Sequence, residues 1–241
     1  MKKIDVQAIR QKFGNDIDAF RTLFREAYSA VATGAGRSVL AEQTLLSAVV
    51  RWERFISDLF VAYVNRDPSQ ASSVIQNALL QSATEKYGDS MQAMLVVKPP
   101  KHLTRAQAAE VLDPRGRNVT FADGEKLVAG AKRWLSAAYR KGFEALEAKD
   151  VAAITAWLKI RNYIAHRSTI AYHEMNHSLT DNVLRGGYPA LARSQYEVWN
   201  AGSYLKATPP QGGACRLCQY LDLMKGIGTK VSANWEDTAS A

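Results

Sequence analysis

The chain has 241 residues, of which 47% are hydrophobic, and its 31 basic and 23 acidic residues give a formal net charge of +8. This apolar content excludes wholesale disorder, and the length suffices for one large domain or for one domain with an insertion. The positive charge favours a polyanionic partner, although many basic proteins bind no nucleic acid.

Hydropathy and cysteine content indicate the compartment. Polar, charged sequence follows Met1-Lys2-Lys3, so we expect no signal peptide. No apolar run approaches the ~20 residues that a membrane span requires. The chain has only two cysteines, Cys215 and Cys218, which excludes a disulfide framework. We therefore expect a cytoplasmic protein.

Sparse proline, little strand-type alternation and abundant Ala, Leu, Glu, Lys and Arg predict an all-α fold. Turn residues and cations dominate 88–118, which we interpret as a loop-rich insertion. We expect one helical domain over 1–231 and a flexible tail over 232–241. The apolar spacing and the turn residues predict helices at 4–32, 38–65 (capped by Ser38), 68–87, 104–112, 124–148, 150–184, 190–200 and 214–229, with a loop at 203–213.

The most informative stretch begins at Asp150, which we predict to be the N-cap of a long helix. Its centre is RNYIAH at 161–166, which brings a cation, an amide and an imidazole together. Asn162 and His166 are four residues apart and share one helical face. Arg161 lies about 140° from His166 around an unbroken helix. Either its side chain bends round, or the helix breaks here, or the groups meet across a subunit boundary.

These residue types suit the cleavage of RNA without a metal. The reaction takes a proton from the ribose 2′-hydroxyl and gives one to the leaving 5′-oxygen, and histidine exchanges protons most readily near neutral pH. A guanidinium offers a planar fork of donors to the extra negative charge of the transition state. An amide can orient either the phosphate or the histidine.

The motif resembles the Arg-Asn-x-x-x-His motif of HEPN-domain ribonucleases, within IRNYIAHRS at 160–168. Upstream, VVRWERFISDLF at 49–60 is similar to the second helix of such domains. Downstream, GSYLKA and CRLCQYLDLMKGIG are similar to the closing loop and last helix of longer HEPN proteins. The resemblance covers roughly 38–65 and 121–229, and 87–118 has no counterpart. It implies a HEPN-like helical bundle to which the N-terminal helix and the insertion are added.

For function, the resemblance implies a metal-independent endoribonuclease that needs no cofactor and acts as a homodimer with both motifs facing one cleft. His166 is then the general base, Arg161 stabilises the phosphate, Asn162 positions it, and the products carry 2′,3′-cyclic phosphate ends. The expected partners are RNA (tRNA or mRNA) and an antitoxin or regulatory protein, because such nucleases often act as toxins or antiviral defence effectors. Some HEPN domains only bind RNA or a partner, so a non-catalytic module is the alternative.

Further residues are expected to support this site. Glu53 lies at the edge of an apolar helical stripe. It either reaches solvent beside Trp52 or pairs with a cation such as Arg161 or Lys159. The other supporting residues that we predict are Lys159, Tyr163, Arg167 and His173, and the predicted RNA-binding cations of the 124–148 helix are Lys126, Arg133, Arg140 and Lys141.

A rival motif lies downstream. His173-Glu174-x-x-His177 matches the H-E-x-x-H pattern of zinc metalloproteases, with Glu197 as a possible further ligand. No strand is predicted that would hold a peptide substrate. If the helix is continuous, His173 and His177 instead extend the face of His166 as a polar groove or a subunit contact.

The two histidines also combine with Cys215 and Cys218 into a ligand set for structural zinc. The spacing around the cysteines is that of an ordinary amphipathic helix, which disfavours this site. A thioredoxin-like redox role for the C-x-x-C pair is weaker still, because no βαβ pattern precedes it. We therefore predict no bound metal.

Overall fold

The computed structural model describes residues 3–90, 100, 102–116, 118–193 and 197–233, and over these ranges it contains helices and irregular segments but no strand. This confirms the predicted all-α fold. No helix in the described ranges is long and apolar enough to cross a membrane. In chain order the helices are α1 (Val6–Ala30), α2 (Gly34–Arg66), α3 (Ser69–Tyr87), α4 (Arg105–Leu112), α5 (Gly124–Trp134), α6 (Ala137–Glu144), α7 (Ala148–His166), α8 (Thr169–Leu179), α9 (Asn182–Gly187), α10 (Ala201–Lys206) and α11 (Arg216–Val231).

The long helix α2 forms the centre of the structure. Most of its residues from Leu45 to Asn65 are buried, because α1, α4, α7, α10 and α11 pack on different sides of it. A helix that is apolar around most of its circumference is typical of such a position. Trp52 meets Trp157 of α7 edge-on with ring centroids 5.1 Å apart, and Phe13 of α1 stacks on Phe55 at 4.3 Å. Buried side chains from these helices form one hydrophobic cluster.

Helix α2 begins earlier than predicted. Thr33, rather than Ser38, is its N-cap, and the Thr33 hydroxyl accepts a hydrogen bond from the Gly36 amide at 3.0 Å. Ser38 lies inside the helix, where its hydroxyl donates to the Gly34 carbonyl at 3.1 Å. The two glycines belong to the first turn because the threonine cap satisfies an amide that would otherwise lack a partner.

The predicted N-cap Asp150 is instead a buried anchor. Helix α7 starts at Ala148, with Glu147 as its N-cap. The Asp150 side chain is fully buried and accepts hydrogen bonds from the Tyr188 hydroxyl at 2.6 Å and from Lys230 Nζ at 2.7 Å. Burial raises the pKa of Asp150, but the hydrogen bonds from Lys230 and Tyr188 lower it further, so the pKa lies below its usual value. Asp150 thus ties α7 to α11 and to the segment after α9.

The predicted helix at 124–148 is two helices. Leu135 interrupts it with an extended backbone (φ −103°, ψ 140°) and is itself buried. On the far side of the break, the Tyr139 ring stacks on Tyr63 at 4.9 Å, and the Phe143 ring meets Phe60 edge-on at 5.4 Å. These rings of α6 pack on α2 beyond the break, whose position the spacing of apolar residues alone does not predict.

The predicted helix at 190–200 is wrong, since the described residues of that range are not helical. The predicted loop at 203–213 contains part of α10. Asn176 of α8 accounts for the difference, because its side chain accepts from the Val198 amide at 2.6 Å and donates to the Val198 carbonyl at 3.4 Å. A side chain that binds both backbone groups of a residue competes with helical hydrogen bonding there. Asn200 then caps α10.

The predicted insertion at 88–118 contains α4, close to the predicted bounds. Leu103, two residues before α4, is buried, and its carbonyl accepts a hydrogen bond from Nδ2 of Asn65 at 2.7 Å. This part of the insertion therefore packs on α2. Ser232, predicted as the first residue of the tail, is fully buried. Residues 91–99, 101 and 117 of the predicted insertion and residues 234–241 of the predicted tail lie outside the described residues.

Candidate active site

Arg161 of α7 is bound by a carboxylate of α2. Its Nη2 lies 2.7 and 2.6 Å from the two carboxylate oxygens of Glu53, and its Nη1 donates to Oδ1 of Asn162 at 2.9 Å. The Glu53 side chain is 16% exposed and that of Arg161 is 26% exposed. Of the two alternatives for Glu53, the structure shows the ion pair, with Arg161 as the partner. Two helices together orient the guanidinium.

The motif ends where its helix ends. Helix α7 stops at His166, and Arg167 has a left-handed backbone (φ 50°, ψ 23°). The predicted continuous helix at 150–184 is therefore wrong, and α7, α8 and α9 take its place. The break comes after His166, so Arg161 and His166 remain on one regular helix, about 140° apart around its axis. The His166 side chain is exposed and makes no hydrogen bond or ion pair with the described residues.

Three of the predicted supporting residues, Lys159, Tyr163 and Arg167, follow one another at intervals of four along α7 and its end. Lys159 Nζ forms an ion pair with Glu174 of α8 at 3.0 Å. The Arg167 guanidinium lies 5.0 Å from the centroid of the Tyr163 ring and forms an ion pair with Glu42 of α2. These contacts stabilise the turn between α7 and α8 against the strain of a left-handed arginine. A direct part in catalysis stays a prediction for all three.

Aromatic side chains gather beside the motif. The Tyr163 hydroxyl donates to the Trp199 carbonyl at 3.1 Å, and the Tyr172 ring lies 5.1 Å from that of Trp199. His173, the fourth predicted supporting residue, is exposed and contacts the Tyr172 ring edge-on at 5.4 Å. The Tyr172 hydroxyl donates to Glu197 at 2.7 Å, and burial together with this carboxylate raises the pKa of Tyr172 to about 12. The Glu197 carboxylate, named above as a possible metal ligand, therefore accepts a hydrogen bond from the Tyr172 hydroxyl.

The H-E-x-x-H pattern does not form a metal site. His173 and His177 are exposed on α8, and the turn at Arg167 separates them from the face of α7 that carries His166. The interpretation of the histidines as one continuous stripe is therefore wrong. No three His, Cys, Asp or Glu side chains within the described ranges form a group that would hold a metal ion. Among the described residues, the metalloprotease hypothesis is therefore left without a set of three ligands.

The set proposed for structural zinc is not assembled either. Cys215 and Cys218 lie at the start of α11 as free thiols, with their sulfur atoms 3.2 Å apart. The α8 histidines do not complete this pair, because among the residues that the structure describes there is no group of three such ligands. The closeness of the two sulfur atoms follows from their spacing of three on a helix.

The four cations predicted to bind RNA lie on two helices rather than one. Lys126 and Arg133 belong to α5, and Arg140 and Lys141 belong to α6, beyond the break at Leu135. The Arg133 guanidinium lies 5.1 Å from the ring centroid of the neighbouring tryptophan, and Arg140 pairs with a glutamate one turn later at 3.2 Å. The break interrupts the single helical face on which this prediction rested. Contact between these cations and RNA stays a prediction.

One residue of the site was missed by the sequence analysis. Glu42 is buried, accepts from the Gly202 amide at 3.0 Å and binds Arg167. It precedes Glu53 by eleven residues, about three helical turns, so both carboxylates lie on the same side of α2. The signal that singled out Glu53, a carboxylate among apolar positions of a long helix, also applies to Glu42.

The arrangement combines an oriented guanidinium, an adjacent amide and an accessible imidazole at the carboxyl end of α7. These groups can bind an anion and exchange a proton with it. No protein-family model, no curated protein and no solved structure matches the chain. The chemistry and geometry of these side chains, together with the motif resemblance, therefore carry the functional argument.

Proposed function

We propose that the protein is a metal-independent endoribonuclease of the HEPN type, with Arg161, Asn162 and His166 as its catalytic residues. One observation carries the proposal: Glu53 and Asn162 hold the Arg161 guanidinium in place on the helix that presents the exposed His166. A cation fixed before the substrate arrives needs no reorganisation when charge develops in the transition state. Along the axis of α7 the two residues are only about 7.5 Å apart, at 1.5 Å per residue.

In this mechanism His166 removes the proton from the ribose 2′-hydroxyl, and the 2′-oxygen attacks the adjacent phosphorus. The bond to the 5′-oxygen breaks, and that oxygen takes a proton from a second imidazole or from water, which leaves 2′,3′-cyclic phosphate and 5′-hydroxyl ends. A guanidinium has five N–H donors. The bonds from Arg161 to Glu53 and Asn162 take up at most three of them, so donors remain for the phosphate oxygens.

A homodimer belongs to the proposal, because Arg161 and His166 of one copy are about 140° apart around α7. Two apolar side chains near the motif are each 74% exposed: Ile170, in the helix that follows the motif, and Trp199, whose carbonyl binds Tyr163. Exposed apolar side chains near a charged site fit a contact between subunits. Such a contact would bring His166 of one copy towards Arg161 of the other, and the second His166 would then serve as the acid.

The Glu53–Arg161 ion pair also favours a second candidate function, a non-catalytic module that binds RNA or a protein. A guanidinium bound to a carboxylate keeps little net charge for a phosphate. In that case the Glu53–Arg161 pair has only a structural role, joining α2 to α7. RNA would then bind without being cut, and replacement of His166 would leave binding unchanged.

Cleavage assays with end-group analysis separate the two candidates. We expect wild-type protein to cut RNA to 2′,3′-cyclic phosphate ends in the presence of EDTA, and His166→Ala to lose activity by about 10²–10⁴-fold. His177→Ala is the matched control, since it removes an exposed imidazole from α8, and its activity should stay at the wild-type level. Inhibition by EDTA, or an unchanged rate in His166→Ala, would overturn the proposal. Binding without products supports the second candidate.

The cellular role follows by analogy with HEPN nucleases. We propose a toxin or antiviral effector that damages tRNA or mRNA in the cytoplasm and is held inactive by an antitoxin or regulatory protein. Induced expression of the wild-type chain should then arrest growth. His166→Ala should relieve the arrest and His177→Ala should not. Equal arrest by all three proteins would contradict this role.

A further inference from the structure

The only two cysteines of the chain form a close pair at the start of α11. Cys215 is the N-cap residue and Cys218 lies in the first turn, and their sulfur atoms are 3.2 Å apart. A disulfide has its sulfur atoms at about 2.05 Å, so a shift of roughly 1.2 Å would join them. The described parts of the chain offer no metal-ligand group of which the pair is a member.

The two thiols differ in their surroundings. Cys215 is partly exposed, whereas Cys218 is 6% exposed and packs in the core. The hydrogen bond between the two thiols lowers the pKa of Cys215, against the effect of burial. The same hydrogen bond and burial raise the pKa of Cys218. The more accessible sulfur is therefore the one that loses its proton more readily to give the thiolate, which is the nucleophilic form.

Neighbouring contacts hold the start of α11 in place. The buried Arg216 side chain donates from Nε to the Ala190 carbonyl at 2.9 Å, and its amide donates to the Ala207 carbonyl at 3.2 Å. Gln219 donates from its side chain to the Ala214 carbonyl at 2.8 Å. The backbone on both sides of the cysteines is thus fixed by contacts that do not involve the sulfur atoms, and oxidation needs no refolding of this helix end.

We propose that Cys215 and Cys218 form a redox-active dithiol that exchanges with small disulfides of the glutathione type. The Cys215 thiolate attacks one sulfur of the small disulfide, which gives a mixed disulfide and releases one small thiolate. Cys218 then loses its proton and attacks the Cys215 sulfur, which forms the Cys215–Cys218 bond and releases the second small thiol. Two protein thiols are oxidised and one small disulfide is reduced to two thiols. This inference does not depend on the proposed ribonuclease activity.

Thiol titration and intact-mass measurement test the proposal on the full chain. With excess glutathione disulfide at neutral pH, wild-type protein should lose both thiols and two hydrogen atoms of mass, without a bound glutathione. Cys218→Ser should accumulate one glutathione on Cys215. Cys215→Ser should react at least about tenfold more slowly, because its remaining thiol is buried.

Three results would overturn the proposal: both wild-type thiols persisting in excess glutathione disulfide, mixed disulfides accumulating in wild type, or the two variants reacting equally fast. Wild-type protein alone decides the first two, so a variant that fails to fold does not remove the test. The reaction repeated in guanidinium chloride is the control. There, the two variants should react at similar rates, since the difference in burial is lost on unfolding.

Discussion

Replacement of Glu53 by Gln tests whether the α2–α7 ion pair orients Arg161. The change keeps the size of the side chain and removes its charge, so it leaves the Arg161 guanidinium without an anion in a mostly buried position. We expect lower stability and, if the proposed function holds, a lower cleavage rate. The stability result stands by itself, because it depends only on the contact between the two helices.

The structure sets the size of the effect. Unit charges about 4 Å apart attract each other by about 4 kcal/mol at an effective dielectric constant of about 20, before the cost of desolvation. Exposed pairs contribute about 0.2–1 kcal/mol, and removal of one partner from a buried pair costs about 3–5 kcal/mol. Glu53 is 16% and Arg161 26% exposed, which places this pair between the two cases. We therefore expect Glu53→Gln to lower the free energy of unfolding by about 2–3 kcal/mol.

The assay is a double-mutant cycle of Glu53→Gln and Arg161→Gln, in which urea denaturation measures the free energy of unfolding of each protein. The expected coupling energy is about 1–2 kcal/mol, because each single change already removes most of the interaction. Glu174→Gln is the matched control: Glu174 pairs with Lys159 but is 47% exposed, so the loss should stay below about 1 kcal/mol. Additivity of the Glu53 and Arg161 changes within about 0.3–0.5 kcal/mol would refute the reasoning.

Two further predictions concern stability. Asp150 has a lowered pKa in the folded state, so its contribution is present above its unfolded pKa of about 3.9 and is lost as pH falls through the folded value. Asp150→Asn should lower the free energy of unfolding by about 2–4 kcal/mol near neutral pH. Urea denaturation at several pH values measures the difference from wild type, and a difference that does not shrink on acidification would contradict this. Gly202→Ala should cost about 1–3 kcal/mol, because its Cβ would lie 2.2 Å from the Ser38 carbonyl oxygen. Gly226→Ala is the control, since its Cβ would meet nothing within 4 Å, and it should stabilise α11 by about 0.5–1 kcal/mol. Thermal unfolding measures both glycine variants, and equal changes in their melting temperatures would show that the contact at Ser38 is not rigid.

The sequence by itself determined the helical class and most of the helix positions, since amphipathic spacing is a local property of the chain. It also singled out Glu53, because a carboxylate within an apolar stripe is costly to bury alone, but it left open whether this side chain reaches solvent or pairs with a cation. The proximity of Cys215 and Cys218 follows from their spacing on a helix. These inferences need only the spacing of residues along one helix and the cost of burying single polar groups, whereas the partner of Glu53 lies on another helix.

Tertiary structure decided where the helices end and which face each site residue takes. A left-handed backbone at Arg167 has no local sequence signal of the kind that glycine provides, and the bond to Glu42 and the ring of Tyr163 stabilise it from elsewhere in the fold. Asn176 likewise determines the conformation around Val198, which is distant in sequence. Contacts between residues far apart in the chain outweigh propensities of a few tenths of a kcal/mol per residue, and such contacts exist only once the helices have packed.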